Sequence, residues 1–496
     1  MVDEAPTPVP PGRNRLGYVP ALDGVRAIAA LRVLGVHYFG AIAASSPFPG
    51  FGGGRLGMQV FFTLSGFVIT VLLAEEYLRS GRIDLQAFWK RRLLRLLPAL
   101  VFVIAVLILL GALVDAGIYP HGQGLREIPD SGSENIWLPF WPGLLVVLFP
   151  VSNLVSSLHH ASFRPLAVAW MPAIQDQVYL VWPAVLALLL ARCRLHLRTC
   201  VAITAGLVVA TLLWRSSLGG LVSELDAITL RTDFNLAGIL LGCTGGLAYA
   251  AGMVPTGPRF RQVLAAAAWV SLLAILAIFA WGVQVRANDY VTVVGFLTLI
   301  LVTHLVTDRT SRLSHLLSWP PLVGIGQVSY GLYLWHWVWL QYPLAIDRGT
   351  PVRLLIAVTL TVVMVLVSYY VIELPALRLK TRFAPRRELA PAGPAATSSA
   401  ARLSRRNLLP VLGMGTMSVI AFVAFGMVSR VYPPSLAVSV APPPPPPPRS
   451  PRPPRSPRQR RVARNRRETK RTPRPSARPA NASRDAQAAG VPAGEE

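Results

Sequence analysis

Five stretches of the chain run for 19 to 25 residues without a single charge: residues 96–114, 234–258, 262–285, 354–372 and 407–429. At about 1.5 Å per residue, each is long enough as a helix to cross roughly 30 Å of hydrocarbon. A helix on a soluble protein keeps a polar stripe, and these keep none. Apolar runs of similar length fill the sequence between them. The pattern predicts an all-α polytopic membrane protein with core spans at residues 21–43, 57–77, 94–115, 167–191, 199–215, 234–251, 263–284, 290–307, 323–344 and 353–373. An eleventh follows at 408–430. The run 137–150 is also apolar, but it is short and interrupted by Pro139 and Pro142. It reads as an interfacial or re-entrant segment. The first apolar segment is of spanning length, so no cleavable leader is expected.

The positions between the spans set orientation, because basic residues collect on the cytosolic side. One set of loops holds Arg13 and Arg15; Arg79, Arg82, Lys90, Arg91 and Arg92; Arg192, Arg194 and Arg198; Arg259 and Arg261; Arg309 and Arg312; and a run from Arg378 to Arg406. The other set is sparse, and counting 137–150 as a span would break the alternation. The expected organisation is a cytosolic segment 1–20, a ten-helix membrane domain 21–375, a basic cytosolic linker 376–407, an eleventh helix 408–430, and an external tail 431–496. The Arg-rich, Lys-poor composition fits a bacterial plasma membrane.

Composition changes this picture little. Hydrophobic residues make up 53% of the chain and charged residues 14%. The net charge of +25 would suggest nucleic acid, were it not for where the charge lies. Fourteen basic residues fall between Arg449 and Arg484, after seven consecutive prolines at 442–448. Such a segment favours polyproline II or disorder. Outside the cell it would meet anionic envelope polymer or membrane lipid, not nucleic acid. The three cysteines, Cys193, Cys200 and Cys243, show no paired spacing, and the histidines show no HxxxH pattern. Neither a disulfide framework nor a bound metal is expected.

Charges inside a span are costly, so they mark function or pairing. The first span holds Asp23, Arg26, Arg32 and His37. Arg26 and His37 are eleven positions apart, close to three helical turns, so they share a face at an axial offset of roughly 16 Å. Arg26 would stand at the cytosolic mouth and His37 near mid-membrane. Arg92 and Arg95 are three apart on one face, and planar forks on one face suit a phosphate. A cytosolic anion clamp beside a buried imidazole fits an enzyme with a phosphate-bearing donor. It fits an anion transporter equally well.

The residues also carry a resemblance. The opening Leu22-Asp23-Gly24-Val25-Arg26-Ala27, followed by His37, resembles that of the bacterial membrane-bound acyltransferase family 3, the O-acyltransferases of O-antigen and other envelope glycans. The segments Gly57-Met58-Gln59-Val60-Phe61-Phe62 and Arg91-Arg92-Leu93-Leu94-Arg95 are similar to further signatures of that family. So are Ser329-Tyr330-Gly331-Leu332-Tyr333-Leu334-Trp335-His336 and Tyr369-Tyr370-Val371-Ile372-Glu373-Leu374-Pro375. The likeness covers about residues 16–380 in matching order.

It implies a donor such as acetyl-CoA bound from the cytosol, with Arg26, Arg92 and Arg95 near its phosphates. It further implies His37 as the catalytic residue and a hydroxyl of an envelope glycan or glycolipid as acceptor. Gln59, Gln175, Asp176 and His336 are candidate acceptor contacts, with Arg231 and Asp233 at an external helix mouth. No permanently bound cofactor is expected. Two positions depart from the family pattern: Gln59 stands where an acidic residue is usual, and Gln175 replaces a glutamate. A glutamine keeps hydrogen bonding but carries no charge, so a catalytically silent relative that moves or presents acyl, glycan or lipid substrates is the alternative. Many family members end in an external SGNH hydrolase-like domain, and the tail here does not resemble one.

Overall fold

The computed structural model describes residues 16–42, 54–116, 136–137, 140–159, 161–217, 230–281, 287–341 and 351–380. All of them belong to one unit, Met1–Pro434. The linker beyond residue 380, the eleventh span and the tail lie outside the described residues. Among those described the fold is all-α, with one two-residue parallel pairing of Ile136–Trp137 with Ala161–Ser162.

The first three helices are α1 (Pro20–Ile42), α2 (Gly54–Ser80) and α3 (Leu85–Asp115). Gly81, with φ of +68°, makes the tight turn after α2. Asp84 then caps α3 by accepting from the Ala87 amide at 2.9 Å. The helix therefore starts well before the apolar run, and Arg91 and Arg92, expected in the loop, are helical. Two short helices, α4 (Phe140–Leu148) and α5 (Ser152–His159), occupy the place of the segment expected not to span. Nine residues in α4 reach only about 13 Å. A polar knot ties them down: Gln177 Nε2 donates to the Pro150 carbonyl at 2.7 Å and to Asn153 Oδ1 at 2.8 Å, while Asn153 Nδ2 donates to Thr232 Oγ1 at 2.9 Å.

There follow α6 (Trp170–Ala187), prolonged by a π-helical turn at Leu188–Arg192, α7 (Leu197–Ser217), α8 (Thr232–Ala250), α9 (Pro258–Trp281) and α10 (Ala287–Thr307). Next is α11 (Arg312–Leu317), capped by the Ser311 side chain, which accepts from the Ser314 amide. Then come α12 (Pro320–Gln327), α13 (Ser329–Gln341), α14 (Pro351–Val367) with a π-helical turn at Ser368–Glu373, and α15 (Leu374–Lys380). The ninth expected span, 323–344, is thus two helices broken at Val328, whose φ of −96° and ψ of 7° leave the helical region.

Six stretches among the described residues are long and apolar enough to cross a membrane on their own: Leu56–Ser80, Leu85–Leu113, Pro165–Arg192, Leu197–Ser217, Pro258–Ala280 and Val352–Leu379. The protein is a polytopic membrane protein. Of these, the α2 stretch is 83% buried inside the protein, against 17–28% for those of α3, α7, α9 and α14. That contrast makes α2 the central post and leaves the others an apolar outer face. Its two faces feed two separate cores. Phe62, Ile69 and Leu73 pack with α3, α6, α13 and α14; Val60, Leu64 and Phe67 pack with α1, α9 and α10.

Glycines allow the closest approaches. A Cβ at Gly66 of α2 would fall on the carbonyl oxygen of Ile239 in α8, and one at Gly242 of α8 on that of Thr63. The α2–α8 seam is backbone against backbone, the packing that membrane helices favour where no hydrophobic force draws them together.

Candidate active site

The cavity of about 360 Å³ lies between α1, α2, α3, α6 and α13. Arg26, Arg79, Arg91, Arg92 and Arg95 border it against two carboxylates, Glu76 and Asp176. The three arginines expected at the donor thus meet in one space, although α1 and α3 bring them from distant parts of the chain.

Their partners differ. Arg26 pairs with Asp23 one turn back. Asp23 also accepts from the Tyr18 hydroxyl at 2.9 Å, and Tyr18 accepts from Gln327. Partial burial, with the Asp23 carboxylate beside it, holds the Tyr18 phenol above its ordinary range, so it stays a donor. Arg91 pairs with Glu76 at 3.5 Å. Arg92 lies over the Tyr179 ring with its guanidinium carbon 3.5 Å from the centroid, and its buried Nε has no hydrogen-bond partner among the described residues. Arg95 borders the cavity without a side-chain hydrogen bond among the described residues. A cluster with donors left over is what an anion needs.

Gln175 and Asp176 face the same cavity as the arginines. Two positions assigned to the acceptor thus share a cavity with the arginines assigned to the donor. Gln175 Nε2 donates to Ser65 Oγ at 2.9 Å and to the Tyr179 hydroxyl. Gln59 is elsewhere: it is 1% exposed, is not among the residues that line the cavity, and donates to Asn235 Oδ1 at 3.0 Å across the α2–α8 seam. Its Oε1, equally enclosed, has no hydrogen-bond partner among the described residues. Arg231 and Asp233 form a two-point ion pair at 2.9 and 2.8 Å, joined by the Trp214 indole N–H.

His37 does not border the cavity. Its Nδ1 lies 2.9 Å from Nε2 of His336 on α13, so two histidines 299 positions apart meet. Tyr333 connects the two regions: it lines the cavity, and its ring stands 5.6 Å from that of His336 one turn further on. Its hydroxyl is fixed on the Val168 carbonyl. Sequence reasoning gave no role to Tyr179, Tyr330 or Tyr333, though Tyr179 stands three positions after Asp176, and Tyr330 and Tyr333 lie in the quoted segment that ends at His336.

The fold and the site define a class: a polytopic membrane protein with an arginine-lined cavity at one end of α1 and an imidazole pair at the other. The family model described as an acyltransferase domain matches residues 19–373, and the chain belongs to that family, the membrane-bound acyltransferase family 3. Among its relatives, the peptidoglycan O-acetyltransferase OatA of Listeria monocytogenes is 27% identical over 376 residues, covering 72% of this chain and 56% of the relative. The O-acetyltransferase OatA of Staphylococcus aureus is 28% identical, covering 72% and 57%. The putative peptidoglycan O-acetyltransferase YrhL of Bacillus subtilis is 27% identical, covering 72% and 55%. The chain spans little more than half the length of these relatives. No solved structure matches.

Proposed function

We propose that the protein transfers an acyl group, acetyl in the first instance, to a hydroxyl of a cell-envelope glycan such as peptidoglycan. The observation that carries this reading is the pairing, on one helix, of an arginine-lined end with an imidazole end. Arg26 borders the arginine cavity and His37 meets His336, with a rise of roughly 16 Å between them. An acyl-CoA is the donor whose chemistry fits: a polyphosphate head for Arg26, Arg92 and Arg95, and an extended arm that carries the thioester toward His37. The cavity then faces the cytosol, in keeping with the basic loops around it.

In the transfer, a nitrogen of His37 takes the proton of the acceptor hydroxyl as its oxygen attacks the thioester carbonyl carbon. A C–O bond forms, the C–S bond breaks, and the leaving thiolate recovers the proton from the imidazolium. Atoms and charge balance without a metal or redox partner. The names of the relatives support a glycan hydroxyl as acceptor.

The test is transfer by the full chain in lipid nanodiscs, from labelled acetyl-CoA to peptidoglycan fragments. It is read beside mass spectrometry of envelope glycans from a deletion strain. A labelled ester on the glycan and a lost acetyl mass in the deletion are expected. The second reading, a silent relative that presents substrate, is favoured by Gln175, whose carboxamide accepts no proton in the way a carboxylate would. CoA binding without product, and an unchanged envelope in the deletion strain, would decide for it.

A further inference from the structure

His37 has two ring nitrogens, and only an unprotonated one takes a proton from an acceptor. The backbone of α13 decides between them. Nδ1 of His336 lies 3.1 Å from the Leu332 carbonyl oxygen. A carbonyl has no proton to give, so Nδ1 of His336 carries the hydrogen. In the neutral ring its Nε2 is then a lone pair. That lone pair lies 2.9 Å from Nδ1 of His37, which must supply the N–H. Nε2 of His37 is left as the basic nitrogen.

The rings are arranged for this bond. Their planes are 10° apart and their centroids 5.1 Å apart. That separation is too long for face-to-face contact, and with the nitrogens at 2.9 Å it sets the rings nearly edge to edge. His336 is fully enclosed, gripped between Tyr333 and the edge of Tyr38 at 5.6 and 6.2 Å. Tyr38 is itself bonded to Thr361 Oγ1 at 2.7 Å. Trp337 closes on His37 edge-on at 5.1 Å.

We propose that His336 is a positioning residue: the directed chain from His37 Nδ1–H to His336 Nε2, and from His336 Nδ1–H to the Leu332 carbonyl, holds His37 in one tautomer with Nε2 as its proton-accepting nitrogen. This rests on the reading of His37 as general base. An unconstrained histidine favours the opposite tautomer, with the proton on Nε2, so the less common form has to be imposed. When Nε2 takes the acceptor's proton, the bond from Nδ1 to His336 becomes charge-assisted and strengthens. That gain exists only once charge has developed, so it acts on kcat and not on donor binding.

The experiment is nitrogen NMR of the full chain in nanodiscs with ¹⁵N-labelled histidine, His37 being assigned by its loss in His37→Gln. Wild type should show His37 protonated on Nδ1. In His336→Leu it should revert to the Nε2–H form. In His336→Gln it should stay on Nδ1, because the carboxamide offers an oxygen to His37 and an N–H to Leu332. In the transfer assay His336→Leu should lower kcat roughly 10- to 100-fold, the usual scale for a supporting hydrogen-bond partner, with donor KM unchanged, and His336→Gln should recover most of the loss. A wild-type His37 protonated on Nε2 overturns the assignment without recourse to any variant. So does a His336→Leu protein that raises KM and leaves kcat intact. Should wild type transfer nothing, the general-base reading falls, and the tautomer measurement alone upholds or overturns the role of His336.

Discussion

Removal of Arg92 or Arg95 is the sharpest perturbation of the anion cavity, because the arginines that border it are not equivalent. Arg26 and Arg91 are already answered by Asp23 and Glu76. Arg92 borders the cavity and lies over Tyr179, and among the described residues no ion pair holds it, which leaves its fork to a ligand. A hydrogen bond to a charged group contributes about 1.5–3 kcal/mol. At roughly 1.4 kcal/mol per decade, Arg92→Ala or Arg95→Ala should raise the Kd for a CoA thioester about 10- to 150-fold. If both hold one phosphate, the double variant should lose less than the sum, since neighbours on one ligand are not additive. Arg92→Lys should fall between wild type and alanine, keeping the charge but losing the planar stack on Tyr179. Calorimetry of acetyl-CoA binding to nanodisc-embedded protein at two ionic strengths measures all of this. Unchanged affinity in both single variants and in the double would reduce these arginines to topology signals and refute the donor assignment.

Three further outcomes are expected. His37→Ala should lower transfer roughly 10²–10⁴-fold while leaving donor Kd intact, because His37 does not line the cavity; equal loss of both would put His37 in binding. Gln175→Glu should fold normally, since its partners Ser65 and Tyr179 are hydroxyls able to reverse their roles, and should bind the anionic donor more weakly by calorimetry; a misfolded product would contradict the hydrogen-bond assignment. Gly66→Ala and Gly242→Ala should each cost about 1–3 kcal/mol of stability by overpacking, read as a lowered melting temperature in detergent. Alanine at Gly206, with nothing within 4 Å, is the neutral control.

Much of the architecture was legible because a bilayer writes itself into a sequence. Charge-free runs near 96–114 and 354–372 lie within α3 and in α14 with its π-helical turn. The Arg26-to-His37 spacing was legible because both residues stand on one helix, Pro20–Ile42, and helical periodicity is local. What depended on distant partners was not legible. A glutamine in a span reads the same whether it faces a ligand or a neighbouring helix, and only the fold shows Gln59 Nε2 bonded to Asn235. The break at Val328 was hidden because no charged residue interrupts 313–345, although Gly326, Gln327 and Ser329 stand beside it. It follows from tertiary packing, since α12 presses against the start of α1 so closely that a Cβ at Gly326 would fall on the Asp23 carbonyl. His336 read as a candidate acceptor contact; only contact across 299 positions pairs it with His37.

That contact at Gly326 has a consequence for selectivity. Around Arg26, α1 is clasped by main chain: Gly326 lies against Asp23, Gly24 against the Leu317 carbonyl, and a Cβ at Gly57 would come within 2.8 Å of the Ala29 carbonyl oxygen. Main chain has no rotamers, so this end of the helix has little room to adjust. At the His37 end the neighbours the structure records are side chains, those of His336 and Trp337, and a side-chain contact can be exchanged by a single substitution where a main-chain contact cannot. One helix therefore joins a grip of main chain to a grip of side chains. Under the function proposed above, the main-chain end by the arginines would be slow to change among related proteins and the side-chain end quick, so that they would diverge in what they modify long before they diverge in what they modify it with.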